Sequence, residues 1–113
     1  MISGISASLS ALFAFGTKLS GIAHNVANSD TNGFKKTTAT IKEDSLGLPQ
    51  VNLMKSDSPG AIVQVEGLLK ETSNVDLAEE FPQMMIAQRG YEANIKALKV
   101  QDDVLKSTLD VLI

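Results

Sequence analysis

The sequence predicts a mainly α fold: two long terminal amphipathic helices, coiled-coil-like and antiparallel, joined by a turn-rich middle with one possible small β-hairpin. Three observations carry this. Apolar residues recur at steps of three and four in both terminal thirds, the spacing that keeps one helix face in line. Both prolines of the middle, Pro49 and Pro59, fall between those regions. At 113 residues the chain is long enough for one small domain and too short for two.

The first helix is expected over about residues 4–28. Its stripe is Ile2, Ile5, Leu9, Leu12, Leu19, Ala23 and Val26, with Gly16 at the vacant step. Asn28, Asp30, Asn32 and Gly33 tolerate turn or left-handed backbone and end it. Lys18 is the only charged residue before Asp30, but serines and glycines interrupt the apolar positions. No cleaved signal and no membrane insertion are therefore expected.

The middle, about residues 35–72, contains short β-type runs at Thr37–Ile41, Val51–Met54 and Ala61–Val65. Ser58-Pro59-Gly60 reads as the turn of a hairpin between the last two runs.

The second helix is expected over about residues 76–112. Leu77, Phe81, Met84, Gln88, Tyr91, Ile95, Leu98, Asp102, Leu105, Leu109 and Leu112 follow the same steps without a slip. Asn74 or Asp76 can cap its start, and Asp76 with Glu79 has capping-box spacing. Pro82 should kink the first turns. Leu9, Leu12, Leu19, Ile95, Leu98, Leu105 and Leu109 form the expected helix-packing seam. Opposite it, both helices carry a second stripe of small and apolar residues, which needs cover from other copies or from the middle region.

Composition excludes most chemistry. The chain has no cysteine, one histidine (His24), a net charge of −3 and dispersed basic residues. No thiol nucleophile, His-pair metal site or nucleic-acid footprint can be written, so no catalytic, cofactor or metal residue is expected. Arg89, with Glu92 and Glu80, reads as pairing on a solvated helix face.

Two motifs are recognisable. The segment Ser20–Lys35, with Asn25, Ala27, Asn28, Thr31, Gly33, Phe34 and Lys35, resembles the opening motif of bacterial flagellar basal-body rod and hook proteins. Asn74, Val75 and Asp76, followed by Gln88, Arg89, Tyr91 and Asn94, resemble that family's closing motif. Within the family, the opening Ile2–Ser8 and the ending around Tyr91–Asn94 look most like a proximal-rod C-type protein.

The resemblance implies one rod-type domain over residues 1–113, a structural axial subunit rather than an enzyme. Its partners would be itself, other axial rod and hook subunits, and the flagellar type III export apparatus. Its location would be the basal-body rod, reached without signal cleavage. An export adaptor or chaperone-like helical binding module is the alternative. Asn25, Asn28, Thr31 and Gly33 admit two readings, an inter-subunit or export contact and a plain helix cap with its turn.

Overall fold

A computed structural model describes residues Ile2–Ile113. Helix α1 (Ile2–Ala27) leads into strands β1 (Thr37–Glu43), β2 (Pro49–Lys55), β3 (Ile62–Val65) and β4 (Leu68–Glu71). Helix α2 (Leu77–Leu112) closes the chain. The predicted fold class is corrected by the middle region. It is not a turn-rich connection with one hairpin but four strands in two separate antiparallel sheets, β1–β2 and β3–β4.

The predicted turn was also misplaced. Ser58-Pro59-Gly60 joins the two sheets instead of folding one hairpin, and the strands pair across other turns. Gly47 (φ 77°) lies between β1 and β2, while Glu66 (φ 52°) and Gly67 (φ 79°) lie between β3 and β4. Two consecutive positive φ values form the primed turn whose twist suits a two-residue hairpin. Glu66 there is the only non-glycine residue with positive φ among the described residues.

The two helices run antiparallel, with Asn25 beside Glu80, Phe15 over Gly90 and Gly4 under Gln101. The packed positions form two heptad stripes in which small and polar residues are interleaved with larger ones. On α1 they are Gly4, Ser8, Ala11, Phe15, Lys18, Ile22 and Asn25; on α2 they are Glu80, Met84, Ala87, Tyr91, Asn94, Leu98 and Gln101. All are buried or half-buried. Small residues let the backbones approach, and a Cβ on Gly90 would lie 2.5 Å from the Phe15 ring. Gln101 donates to the buried Ser8 hydroxyl at 3.5 Å.

Another side of α1 meets the first sheet, where Ser10, Ala14 and Thr17 face Pro49–Val51, while Phe13 stays exposed. The order is α2, α1, sheet. The result is thin and long, 78 × 25 × 15 Å with a radius of gyration of 19.8 Å. A compact chain of this length would have about 13 Å. By length and composition, the stretch Gly4–Ala27 of α1 is apolar enough to cross a membrane.

Helix α2 starts as its residues dictate. The Asp76 carboxylate accepts the Ala78 N–H at 2.9 Å, satisfying one of the free first-turn donors. The helix runs unbroken through Pro82. The ring removes only the bond to the Ala78 carbonyl, which lies in the exposed first turn where water can replace it.

Candidate assembly site

The motif residues converge where the end of α1, the start of β1 and the start of α2 meet. Asn25 is only 1% exposed. Its side-chain Nδ2 donates to the Thr37 carbonyl at 2.8 Å, and its Oδ1 accepts the Thr37 N–H at 3.1 Å. The amide thus replaces the peptide of a neighbouring strand at the first residue of β1. The same Nδ2 donates to Glu80 Oε1 at 3.3 Å, and Glu80 is itself buried. Glu80 therefore joins the two helices rather than pairing with Arg89, which is exposed and outside the ion pairs found among the described residues.

Asn74 is the second clamp. Its Oδ1 accepts the Lys36 N–H at 2.7 Å, and its Nδ2 donates to the carbonyls of Ser56 (3.2 Å) and Ser58 (2.9 Å). Its own N–H donates to the Phe34 carbonyl at 3.2 Å. Four bonds from one residue fasten the segment entering the first sheet to the segment leaving it. Lys36 adds an ion pair to Glu79 at 2.9 Å.

Asn28 closes α1 locally, with Nδ2 donating to the His24 carbonyl at 2.9 Å and Oδ1 accepting from the Thr31 hydroxyl at 3.0 Å. Gly33 has φ 74° and donates its N–H to the Glu71 carbonyl at 2.9 Å. Phe34 stands edge-on to His24, with ring centroids 5.4 Å apart. Ala27 is exposed and Val75 half-buried. Along α2, Gln88 donates to Glu92 and Asn94 to the Gly90 carbonyl, while Tyr91 faces Gly16.

The base of the second hairpin is held electrostatically. Glu71 accepts from the Lys35 ammonium, which also donates to the Ser58 carbonyl, and from the Gly60 N–H at 3.0 Å. The Lys35 hydrogen bond, followed by that from Gly60, holds the Glu71 carboxyl below its ordinary pKa. Asp44 is lowered likewise, first by the Leu48 N–H and then by Leu46 and Gln50.

A lowered folded-state pKa gives stability that is complete above the unfolded value, about 4.3 for Glu. It is lost as pH falls through the lower folded value. Glu71→Gln should therefore flatten the acid limb of an unfolding curve below about pH 4.3. Asp44 should retain the remainder. Acid titration of both proteins by circular dichroism checks this, and superimposable acid limbs would refute it.

Sequence reading singled out Asn25 and Asn74, which the fold turns into clamps, but missed Thr37, the Gly60–Glu71 contact and the structural use of Glu80. Glu80 could have been found, since it lies one heptad before Ala87 on the packed stripe. The expected leucine seam separates in the structure. Leu98 is packed and Leu12 and Leu19 are half-buried, whereas Leu9 (47%), Ile95 (46%), Leu105 (37%) and Leu109 (54%) are exposed.

These features define a class: a long helical hairpin, fastened at one end by two asparagine clamps and apolar on its outer faces. Residues 65–111 match the family model for the C-terminal segment of flagellar basal body rod FlgEFG proteins. The flagellar basal-body rod protein FlgG of Bacillus subtilis (strain 168) is 31% identical over 85 residues, covering 75% of this chain and 31% of that protein. FlgG of Borreliella burgdorferi is 40% identical over 75 residues, covering 66% and 25%. The flagellar hook protein FlgE of Escherichia coli (strain K12) is 42% identical over 41 residues, covering 36% and 10%. Over these segments the chain is similar to bacterial flagellar basal-body rod and hook proteins. It spans about a third or less of the length of these relatives, which are named for FlgG and FlgE rather than for a C-type rod protein.

Proposed function

We propose that this chain is a structural axial subunit of the flagellar basal-body rod, forming one rod-type domain that assembles through its terminal helices. Its partners are further copies of itself and other rod or hook subunits, and it reaches the rod through the flagellar type III export apparatus. The observation that carries this is the apolar surface left bare after the helices have paired. A soluble monomer rarely leaves large apolar residues bare in continuous rows.

Geometry explains why they stay bare. Gly4 lies at Gln101, so α1 ends near residue 103 and the last turns of α2 project beyond it. Every residue from 102 to 113 is exposed. Ten residues of overhang are about 15 Å of helix at 1.5 Å per residue. Beside Leu9, Leu12, Phe13 and Tyr91 lies an open groove of about 460 Å³. The family match supports using these faces between copies, with Leu9, Leu12, Leu19, Ile95, Leu105 and Leu109 in that contact, while Leu98 packs inside the hairpin. Asn25, Asn28, Asn74, Asp76 and Tyr91 then serve by holding the hairpin in shape. In this reading α1 is buried by helices and sheet rather than by lipid, consistent with the packing of Ser8 and Asn25.

Leu105 and Leu109 test the proposal cleanly, because both lie on the overhang and contribute little to the folded chain. Replacing both with aspartate removes roughly 1.5–3 kcal/mol of burial per leucine from any contact between copies. The double variant should keep its helicity and melting temperature while losing concentration-dependent assembly in sedimentation. Equal sedimentation of variant and wild type would overturn it, and so would a stable one-to-one complex with an export substrate in place of self-association.

A further inference from the structure

The β3–β4 hairpin packs on none of the other helices or strands. It is tied to the body only at its base, by Gly33, Lys35 and Gly60 to Glu71. Ile62, Val63, Val65, Leu68 and Leu69 are all exposed on it. An isolated two-stranded hairpin is at best marginally stable in water, so such a surface needs a partner.

The free strand edges indicate which partner. In β1, the Lys36 carbonyl accepts from Ser56 and the Asp44 N–H donates to Leu48. Even-numbered peptide groups of β1 therefore face β2, and odd-numbered ones face away. Among the odd ones, Thr37 is satisfied by Asn25, which leaves Ala39, Ile41 and Glu43, and the first two of these line a cleft of about 770 Å³ between α1, β1 and the start of α2.

In the hairpin, the Thr72 N–H donates to the Ala61 carbonyl, so positions 61 and 72 form a bonded pair. Alternation then turns Ile62 and Gln64 of β3 outward, while on β4 the outward Glu71 carbonyl is taken by Gly33. The cleft and the hairpin edge thus each present two residues at a spacing of two, Ala39 and Ile41 in one and Ile62 and Gln64 in the other.

Charge sets the orientation. Lys18 lines the cleft and takes part in no ion pair among the described residues. It sits toward the Ile41 end of β1, since Asn25 holds Thr37 and Ala14 and Thr17 lie against Val51, the partner of Ile41. The hairpin carries Glu66 at its tip.

We infer that the β3–β4 hairpin of one copy adds to the free edge of β1 in a second copy. β3 runs parallel to β1 there, and Glu66 lies beside Lys18. Asn25 stops the added strand at Thr37. This contact rests on the self-assembly reading above and specifies a second interface within it.

Charge reversal tests it in the full-length chain by sedimentation. Lys18→Glu and Glu66→Lys should each weaken association roughly tenfold, because like charges would then meet. An equimolar mixture of the two variants should recover wild-type association, since each hairpin then finds an opposite charge on the other copy. Gln64→Pro should weaken association without lowering the melting temperature, because its N–H is unpaired in the single chain. If the reversals associate like wild type, the hairpin contact is wrong and assembly through the helices stands. If the reversals weaken association but the mixture does not recover, the two residues act within one chain and the contact is again wrong. If wild type does not associate at all, both readings fall.

Discussion

Asn25→Leu is expected to destabilise the chain by about 3–5 kcal/mol. Leucine keeps the same branched heavy-atom skeleton and leaves no cavity, so the loss would come chiefly from hydrogen bonding. The Asn25 amide satisfies both the N–H and the carbonyl of Thr37 and donates to the buried Glu80 carboxylate. Removing it leaves two peptide groups and a carboxylate without that partner in a site from which water is largely excluded. Each such group costs about 1–3 kcal/mol, more when charged. Asn25→Asp should be similarly damaging: it keeps an acceptor for the Thr37 N–H but loses the donor and places a second carboxylate against Glu80. Urea unfolding reads the effect as a lower midpoint at unchanged slope. A loss below about 1 kcal/mol would show that Asn25 is not the clamp described.

Gly60→Ala is expected to cost about 3 kcal/mol, and locally. A Cβ on Gly60 would lie 1.9 Å from the Thr72 carbonyl oxygen and 2.7 Å from its carbon. Both are backbone atoms that no rotamer change can move. Relief requires the two chain segments to separate. That breaks the Thr72 to Ala61 hydrogen bond and pulls Gly60 away from Glu71. Amide exchange should accelerate across residues 61–72 while protection in the paired helices persists. Gly21→Ala is the control, because nothing lies within 4 Å of its added Cβ. There the helix gains up to about 1 kcal/mol. Unchanged exchange across residues 61–72 in Gly60→Ala would contradict the account.

The helices were legible because their pattern is long and periodic, and the Asp76 cap because its spacing is short-range chemistry. The face that packs was legible only in part, since Met84, Tyr91 and Leu98 of the expected α2 stripe do pack but the expected α1 stripe does not. Leucine stripes outweigh Gly4, Ser8, Ala11 and Asn25 on any hydrophobic scale, yet close approach of two backbones favours the small residues. The middle was misread for a related reason. Ser58-Pro59-Gly60 is the more familiar turn, while Glu66-Gly67 lacks the asparagine or aspartate that usually announces a primed turn. The roles of Asn25 and Asn74 depend on partners far away in the chain. Family resemblance could point to them, but local pattern could not say what they hold.

The direct test of the structural-subunit reading is to look for the protein in purified hook–basal bodies, by quantitative mass spectrometry and by labelling in electron micrographs. Multiple copies confined to the axial structure are expected, and their loss from it in the Leu105→Asp, Leu109→Asp double variant. Absence from the purified structure, with the protein instead held in the cytoplasm in a one-to-one complex with an export substrate, would contradict it.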